Sequence, residues 1–259
     1  MTRMDLLLIA PELWVLTMTC VILFVDLYIK EERRGIIHLL GMITLIFAAI
    51  MTLRGDYRAA GEASALAFNG AFIRDQMGDM LKLFSYVVLA MVFVYAKFCL
   101  RQFRMFRADF YTLALEALLG IMLLISANSL IMVYLGLELL ALSSYALVAF
   151  DRDSKRGSEA AMKYFVLGSM ASGMLLYGMS MIYGATGTMD LQGIADAIRT
   201  NGTDDIMLVF GLVFLVVGLA FKLGAAPFHM WVPDVYHGAP VAITLFISSV
   251  PKMAAFAMA

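Results

Sequence analysis

Gly218-Leu219-Ala220-Phe221-Lys222-Leu223-Gly224-Ala225-Ala226-Pro227-Phe228-His229-Met230-Trp231-Val232-Pro233-Asp234 decides the fold, because a lysine ends an apolar run and helix breakers follow at once. Pro227 and Pro233 bring no backbone N–H and Gly224 loosens the preceding turn, so a helix carrying Lys222 should break beside it. The run leading into the break, Ile206 to Leu223, is apolar enough to cross about 30 Å of hydrocarbon, which takes roughly 20 residues as helix. Irregular backbone at membrane depth is tolerated where it lines a cavity enclosed by protein or filled with water. The plainer alternative is a kinked helix end whose lysine reaches back to the interface.

The rest of the chain agrees with a membrane setting. Its 259 residues are 63% hydrophobic and 15% charged, outside the usual range of soluble domains. Seven further runs are candidate spans: Leu6 to Tyr28, Ile36 to Leu53, Met77 to Phe98, Phe110 to Ala127, Leu130 to Phe150, Ala160 to Tyr183, and Val241 to the chain end. Backbone in lipid must satisfy its own hydrogen bonds, and these runs are too long and uniformly apolar for barrel strands. The expected fold is therefore an all-α polytopic membrane protein of about eight transmembrane helices. The first run contains Glu12 and has no small-residue cleavage site, so it reads as a retained helix and not a leader. Asp190 to Ile198 has apolar residues at helical spacing, which fits a short amphipathic helix or a solvated loop.

Charge placement gives orientation. With the N-terminus outside (periplasmic), the inner loops hold Lys30, Arg33, Arg34, Lys97, Arg101, Arg104, Arg107, Arg152, Lys155 and Arg156, against Arg3, Arg54, Arg58, Arg74 and Arg199 outside. The formal net charge of -1 argues against a nucleic-acid partner. Cys20 and Cys99 have no metal-like spacing and read as buried small apolar residues. No phosphate-binding glycine loop, cysteine cluster or His-Glu-x-x-His motif is present, so the chain offers no recognisable redox centre.

Four lysines, Lys82, Lys163, Lys222 and Lys252, fall within spans or at their edges, alongside Glu12, Asp26, Asp79, Glu116 and Glu138. A charge at the centre of a membrane helix costs about 2.5 to 3.5 kcal/mol even on lenient scales, so such groups must be paired, hydrated or useful. Glu138 lies deepest, in Leu137-Glu138-Leu139, almost midway along its run. Burial disfavours a lysine's charge and a nearby carboxylate favours it, so Glu138 and Lys222 together could hold and release a proton; a static ion pair is the alternative. Lys252, after Ser248-Ser249-Val250-Pro251, could take that proton through water and serine hydroxyls, or anchor a helix end. Lys163 follows Glu159 at i+4 and fits either local pairing or tuning of the central charge. His229 and His237 carry imidazoles that can donate or accept a proton, and fit proton shuttles or interfacial hydrogen bonds. Glu116 fits packing or function, Asp79 and Lys82 at i,i+3 fit a local ion pair, and Gly168, Gly173 and Gly178 fit close helix approach.

Several blocks resemble the antiporter-like membrane subunits of proton-pumping NADH:quinone oxidoreductase (respiratory complex I), relatives of Mrp-type cation/proton antiporter subunits. They are Leu137-Glu138-Leu139 with Ser143-Ser144-Tyr145, Glu159-Ala160-Ala161-Met162-Lys163-Tyr164-Phe165, and Phe221-Lys222 through Tyr236, extended by Gly238-Ala239-Pro240 and Pro251-Lys252. Tyr164-Phe165 and Trp231 to Pro240 look most like the N-type branch. The resemblance implies a proton relay through Glu138, Lys222 and Lys252; Lys163 and His229 remain further candidates from the reading of the residues. It implies helices 1 to 3 over residues 1–109, then over 110–259 the first of two inverted five-helix repeats, with the second repeat expected beyond this chain. His237 departs from the family, which more often has an acidic or amide side chain there. No cofactor is expected on this chain; NADH, FMN, iron–sulfur clusters and quinone are expected on partner subunits of the complex. The expected setting is a bacterial cytoplasmic (inner) membrane. The alternatives are an Mrp-type antiporter or membrane-hydrogenase subunit, or a non-pumping membrane scaffold.

Overall fold

A computed structural model describes residues 3–29, 34–54, 64–103, 105–202 and 204–258. Lys30, Arg33, Arg58 and Arg104, used in the orientation argument, lie outside these. Helices α1 (Arg3–Leu8), α2 (Ala10–Tyr28) and α3 (Gly35–Leu53) lead to a hairpin of β1 (Ser64–Ala67) and β2 (Phe72–Asp75). Then come α4 (Gln76–Gln102), α5 (Ala108–Ile125), α6 (Leu130–Val148), α7 (Lys155–Thr186), α8 (Leu191–Asn201), α9 (Ile206–Leu223), α10 (Trp231–Gly238) and α11 (Val241–Met258). Eight of these, α2 to α7, α9 and α11, are long and apolar enough to span a membrane, in register with the eight runs read from sequence. The first run divides at Ile9, where Pro11 sits in the opening turn of α2, a position whose N–H needs no helical partner. Asp190 to Ile198 falls in a helix, α8, capped by the Asp190 carboxylate accepting from the Gly193 N–H at 2.9 Å.

Helix α5 is largely buried and forms the axis, with α2, α4, α6 and α11 packed around it and a polar face limited to Asp109, Thr112 and Glu116. Its contact with α6 is backbone to backbone: a Cβ on Gly120 would lie 2.7 Å from the Gly136 carbonyl oxygen. Gly178 of α7 and Gly211 of α9 make the same kind of crossing. Gly173, expected to serve likewise, faces open space. The antiparallel hairpin was not expected. Its Phe68-Asn69-Gly70 turn has positive φ at all three residues, and it closes one end of the bundle through the Ile73 N–H to Ser126 O (2.9 Å) and Asn128 Nδ2 to Gly70 O (2.8 Å).

Three sequence readings are corrected in the N-terminal half. Asp79 and Lys82 do not pair locally: Lys82 Nζ donates to Glu12 Oε1 at 2.6 Å, and Arg74 Nε donates to Asp79 Oδ1 at 3.1 Å. A buried Glu12 without Lys82 would be a bare charge, a far larger penalty than an i,i+3 pair returns. Arg74, read as an outer-loop charge, is 3% exposed and also donates to the carbonyls of Met51 (3.3 Å) and Thr52 (3.0 Å) at the end of α3. Cys20 is exposed and Cys99 half-buried, both as free thiols; Cys20 lies on α2 among other exposed apolar side chains instead of in the core.

Candidate functional site

The end of α9 is built as the breaker pattern requires. Gly224 takes φ +71, its N–H returns to Phe221 O, and the Ala225 N–H returns to Ala220 O at 2.9 Å, the paired bonds of a Schellman stop. The Trp231 indole N–H adds a bond to Phe221 O at 3.1 Å. That leaves the carbonyls of Lys222 and Leu223, and Lys252 Nζ of α11 donates to both, at 3.2 and 2.7 Å. All four final carbonyls of the helix thus have donors, two of them from one ammonium lying where the helix dipole favours positive charge. Lys252 is therefore a helix-end group, but of another helix than its own.

Lys222 points from the last turn of α9 toward α6 and α7. Its Nζ lies 3.4 Å from Ser172 Oγ of α7 and 5.9 Å from the ring centroid of Tyr145 on α6. Tyr145 fits because residue 168 is glycine: any Cβ there would collide with its ring. Tyr145 meets Tyr164 edge-on at 4.7 Å, Tyr164 stacks on Trp231 at 4.8 Å, and Lys252 Nζ sits 5.5 Å from the Trp231 ring centroid. Ser144, Tyr164, Trp231, Lys222 and Lys252 line one small cavity of about 30 Å³. That is room for about one or two waters, beside groups able to bond them.

Glu138 lies midway along α6 and is half-buried. Among the described residues it forms no ion pair within 4 Å, and its Oε1 is buried without a hydrogen-bond partner. A buried acceptor left open is rare in a settled interior and marks a place for a water or a proton. Lys222 and Lys252 thus share one cavity from two helices, and Glu138 stands on the helix α6 that lines it, without lining the cavity itself or closing a salt bridge.

The remaining candidates lie apart. Lys163 is exposed, held by Glu159 Oε1 at 3.0 Å and Asp234 Oδ2 at 2.9 Å, linking α7 to the broken segment. His229 and His237 are exposed and do not line the cavity. Glu116 lines a different cavity, near the start of α5. Among the described residues no three His, Cys, Asp or Glu side chains gather into a metal-sized cluster. Sequence reading missed Ser172, hidden in a stripe of small residues, and Asp234, whose only signal was its place after Pro233 in the broken segment.

Residues 127–259 match the family model described as NADH:quinone oxidoreductase/Mrp antiporter, TM. Among curated relatives, NADH-quinone oxidoreductase subunit N of Thioalkalivibrio sulfidiphilus is 51% identical over 98% of this chain and 52% of its own length. The protein of the same name from Thiobacillus denitrificans is 54% identical over 95% of this chain and 50% of its own. The chain spans about half the length of the curated relatives it matches. Among solved structures, respiratory complex I from Thermus thermophilus superposes with TM-score 0.78 at 29% identity, covering 95% of this chain and 52% of the matched one. The Mrp complex of a Dietzia species superposes with TM-score 0.78 at 19% identity, covering 98% and 47%, a likeness of fold alone.

Proposed function

The chain belongs to the NADH:quinone oxidoreductase/Mrp antiporter membrane family, and from that premise we propose that it is the first half of a proton-translocating subunit, of the N type, in a respiratory NADH:quinone oxidoreductase. Glu138, Lys222 and Lys252 form its relay. NADH, FMN, iron–sulfur clusters and quinone are handled by partner subunits, and this subunit moves protons without redox chemistry of its own. It resides in a bacterial cytoplasmic membrane with its N-terminus on the periplasmic side. Sequence likeness to subunit N near 50% identity supports the choice of complex.

The observation that carries the relay is the small cavity shared by Lys222 and Lys252 at the break of α9. A proton on Lys222 is stabilised by the open carboxylate of Glu138 and opposed by apolar surroundings. When that balance tips, the ammonium gives its proton to water in the cavity and the water gives one to a neutral Lys252. The carbonyls of Lys222 and Leu223 then stabilise the new ammonium, doing for Lys252 what Glu138 does for Lys222. Lys163, with Glu159 and Asp234, couples α7 to the broken segment and so to the position of Lys222.

The test is Lys222→Ala in the full-length protein, with assembly of the complex checked first. Lost proton pumping with intact assembly is the expected outcome; normal pumping and normal NADH-driven quinone reduction would leave only a scaffold. The Mrp-type alternative is favoured by one observation, that the matching family model spans Mrp antiporters as well as NADH:quinone oxidoreductase. Copurification of the full-length protein with NADH-oxidising subunits, or without them, separates the two.

A further inference from the structure

A second cavity, of about 290 Å³, opens where α5 begins and α6 ends, with Leu23 of α2 at its side. Its polar lining is Arg107, Asp109, Thr112, Glu116 and Arg152. Asp109, Thr112 and Glu116 stand at i, i+3 and i+7, one face of α5, so oxygen-bearing side chains step inward turn by turn. Glu116 is eight residues past Ala108, which is about 12 Å into the helix at 1.5 Å per residue. Ala146 and Ala149 of α6 line the cavity too, and their small side chains leave it open.

Among the described residues no hydrogen bond or ion pair engages Glu116. A carboxyl group at that depth against lipid would be costly, and one lining a polar cavity with room for several waters is not. The arginines and carboxylates around the cavity formally balance when Glu116 is ionised, so an added proton changes the local charge by one unit with no metal ion required.

We propose that this cavity is an aqueous intake vestibule and that Glu116 is its proton-loading carboxyl group, receiving protons from the side bearing Arg107 and Arg152. A hydrated proton binds the Glu116 carboxylate and leaves inward through water, with no bond formed or broken other than O–H. The proposal rests on the relay reading above and supplies the proton that the relay consumes.

The experiment uses the full-length protein in the assembled complex, with native cysteines replaced by serine and Ala146→Cys, an exposed position of the cavity lining, introduced. A charged, membrane-impermeant methanethiosulfonate reagent is applied to each side of oriented vesicles. Labelling from the Arg107 and Arg152 side alone is expected; no labelling from either side, as when lipid fills the space, or labelling from the opposite side alone, overturns the vestibule. In parallel, Glu116→Gln in the unmodified background should slow pumping severalfold at normal assembly, and Glu116→Asp should restore most of it. Pumping at the parent rate in Glu116→Gln, with Lys222→Ala inactive, overturns the vestibule and leaves the relay standing. Parent rates in both overturn the relay as well.

Discussion

Two places in this molecule hold a glutamate and a lysine on different helices within the bundle, one pair fully buried and in contact, the other half-buried and not in contact. Near the hairpin, Glu12 and Lys82 meet at 2.6 Å, both no more than 2% exposed, and Arg74 and Asp79 close a second pair at 3.1 Å. At the break of α9, Glu138 leaves an oxygen unbonded, Lys222 has a serine hydroxyl at 3.4 Å, and the neighbouring cavity has room for water. A lysine and a glutamate that each have the counter-charge in contact are both stabilised in their ionised forms, so neither readily gives up or takes a proton. A spaced set with intervening water leaves several positions close in energy, and small helix movements choose among them. Glu12 Oε2 is also buried without a hydrogen-bond partner, so an open oxygen alone does not separate the two places; what separates them is a counter-charge in contact at the first and, at the second, a cavity with room for water beside Lys222.

The sharpest way to break this comparison is at the closed pair. Glu12→Ala leaves Lys82 buried without its counter-charge, a loss of about 3–5 kcal/mol by the usual cost of breaking a buried pair. The full-length protein should then fail to accumulate in the membrane, as judged by quantitative blotting of membrane fractions. Replacing both partners, Glu12→Leu with Lys82→Met, should recover much of that accumulation and leave pumping near the parent rate. If the double variant accumulates and does not pump, the closed pair is part of the relay and the contrast fails.

What could be read from sequence follows the same division between local and distant causes. Eight spans were legible because length and hydropathy are properties of each run alone. Glu138, Lys222 and Lys252 stood out as charge in apolar surroundings, and the break after Leu223 was written in Gly224 and Pro227. The partner of Lys82 lies 70 positions away in sequence, whereas Asp79 offers a competing partner three positions away, so local spacing gave the wrong answer. The hairpin escaped because its strands are four residues each and Ser-Ala-Leu-Ala carries no β-branched residue, although Asn69-Gly70 was a turn signal. That Lys252 ends α9 could not be read at all: its acceptors are backbone carbonyls, which every residue has.

A smaller effect sharpens the comparison from the open side. Gly224→Ala asks an alanine to hold φ +71, at a cost of about 1–2 kcal/mol for a non-glycine residue in left-handed backbone. The added Cβ would also come 3.1 Å from Val232 Cγ2 and 3.5 Å from Lys252 Nζ. The protein should still accumulate, with its melting temperature in detergent lowered by a few degrees, and pumping should fall more than stability because the helix end that Lys252 completes is displaced. Equal falls in both would mean that the break is only a fold feature.

The smallest expected effect on stability is the most discriminating for function. Lys252→Arg keeps a cation with several N–H donors beside the carbonyls of Lys222 and Leu223, so the end of α9 stays capped and accumulation should match the parent. A guanidinium does not give up its proton in a protein, however, so a relay that needs Lys252 to alternate between charged and neutral forms stops there. Lys252→Met does the reverse: it cannot cap the carbonyls and cannot carry a proton, so it should lose both stability and pumping. The pair of variants therefore separates the two roles the geometry gives this lysine. Pumping that survives in Lys252→Arg would reduce Lys252 to a structural cap and require the proton to leave Lys222 by another route.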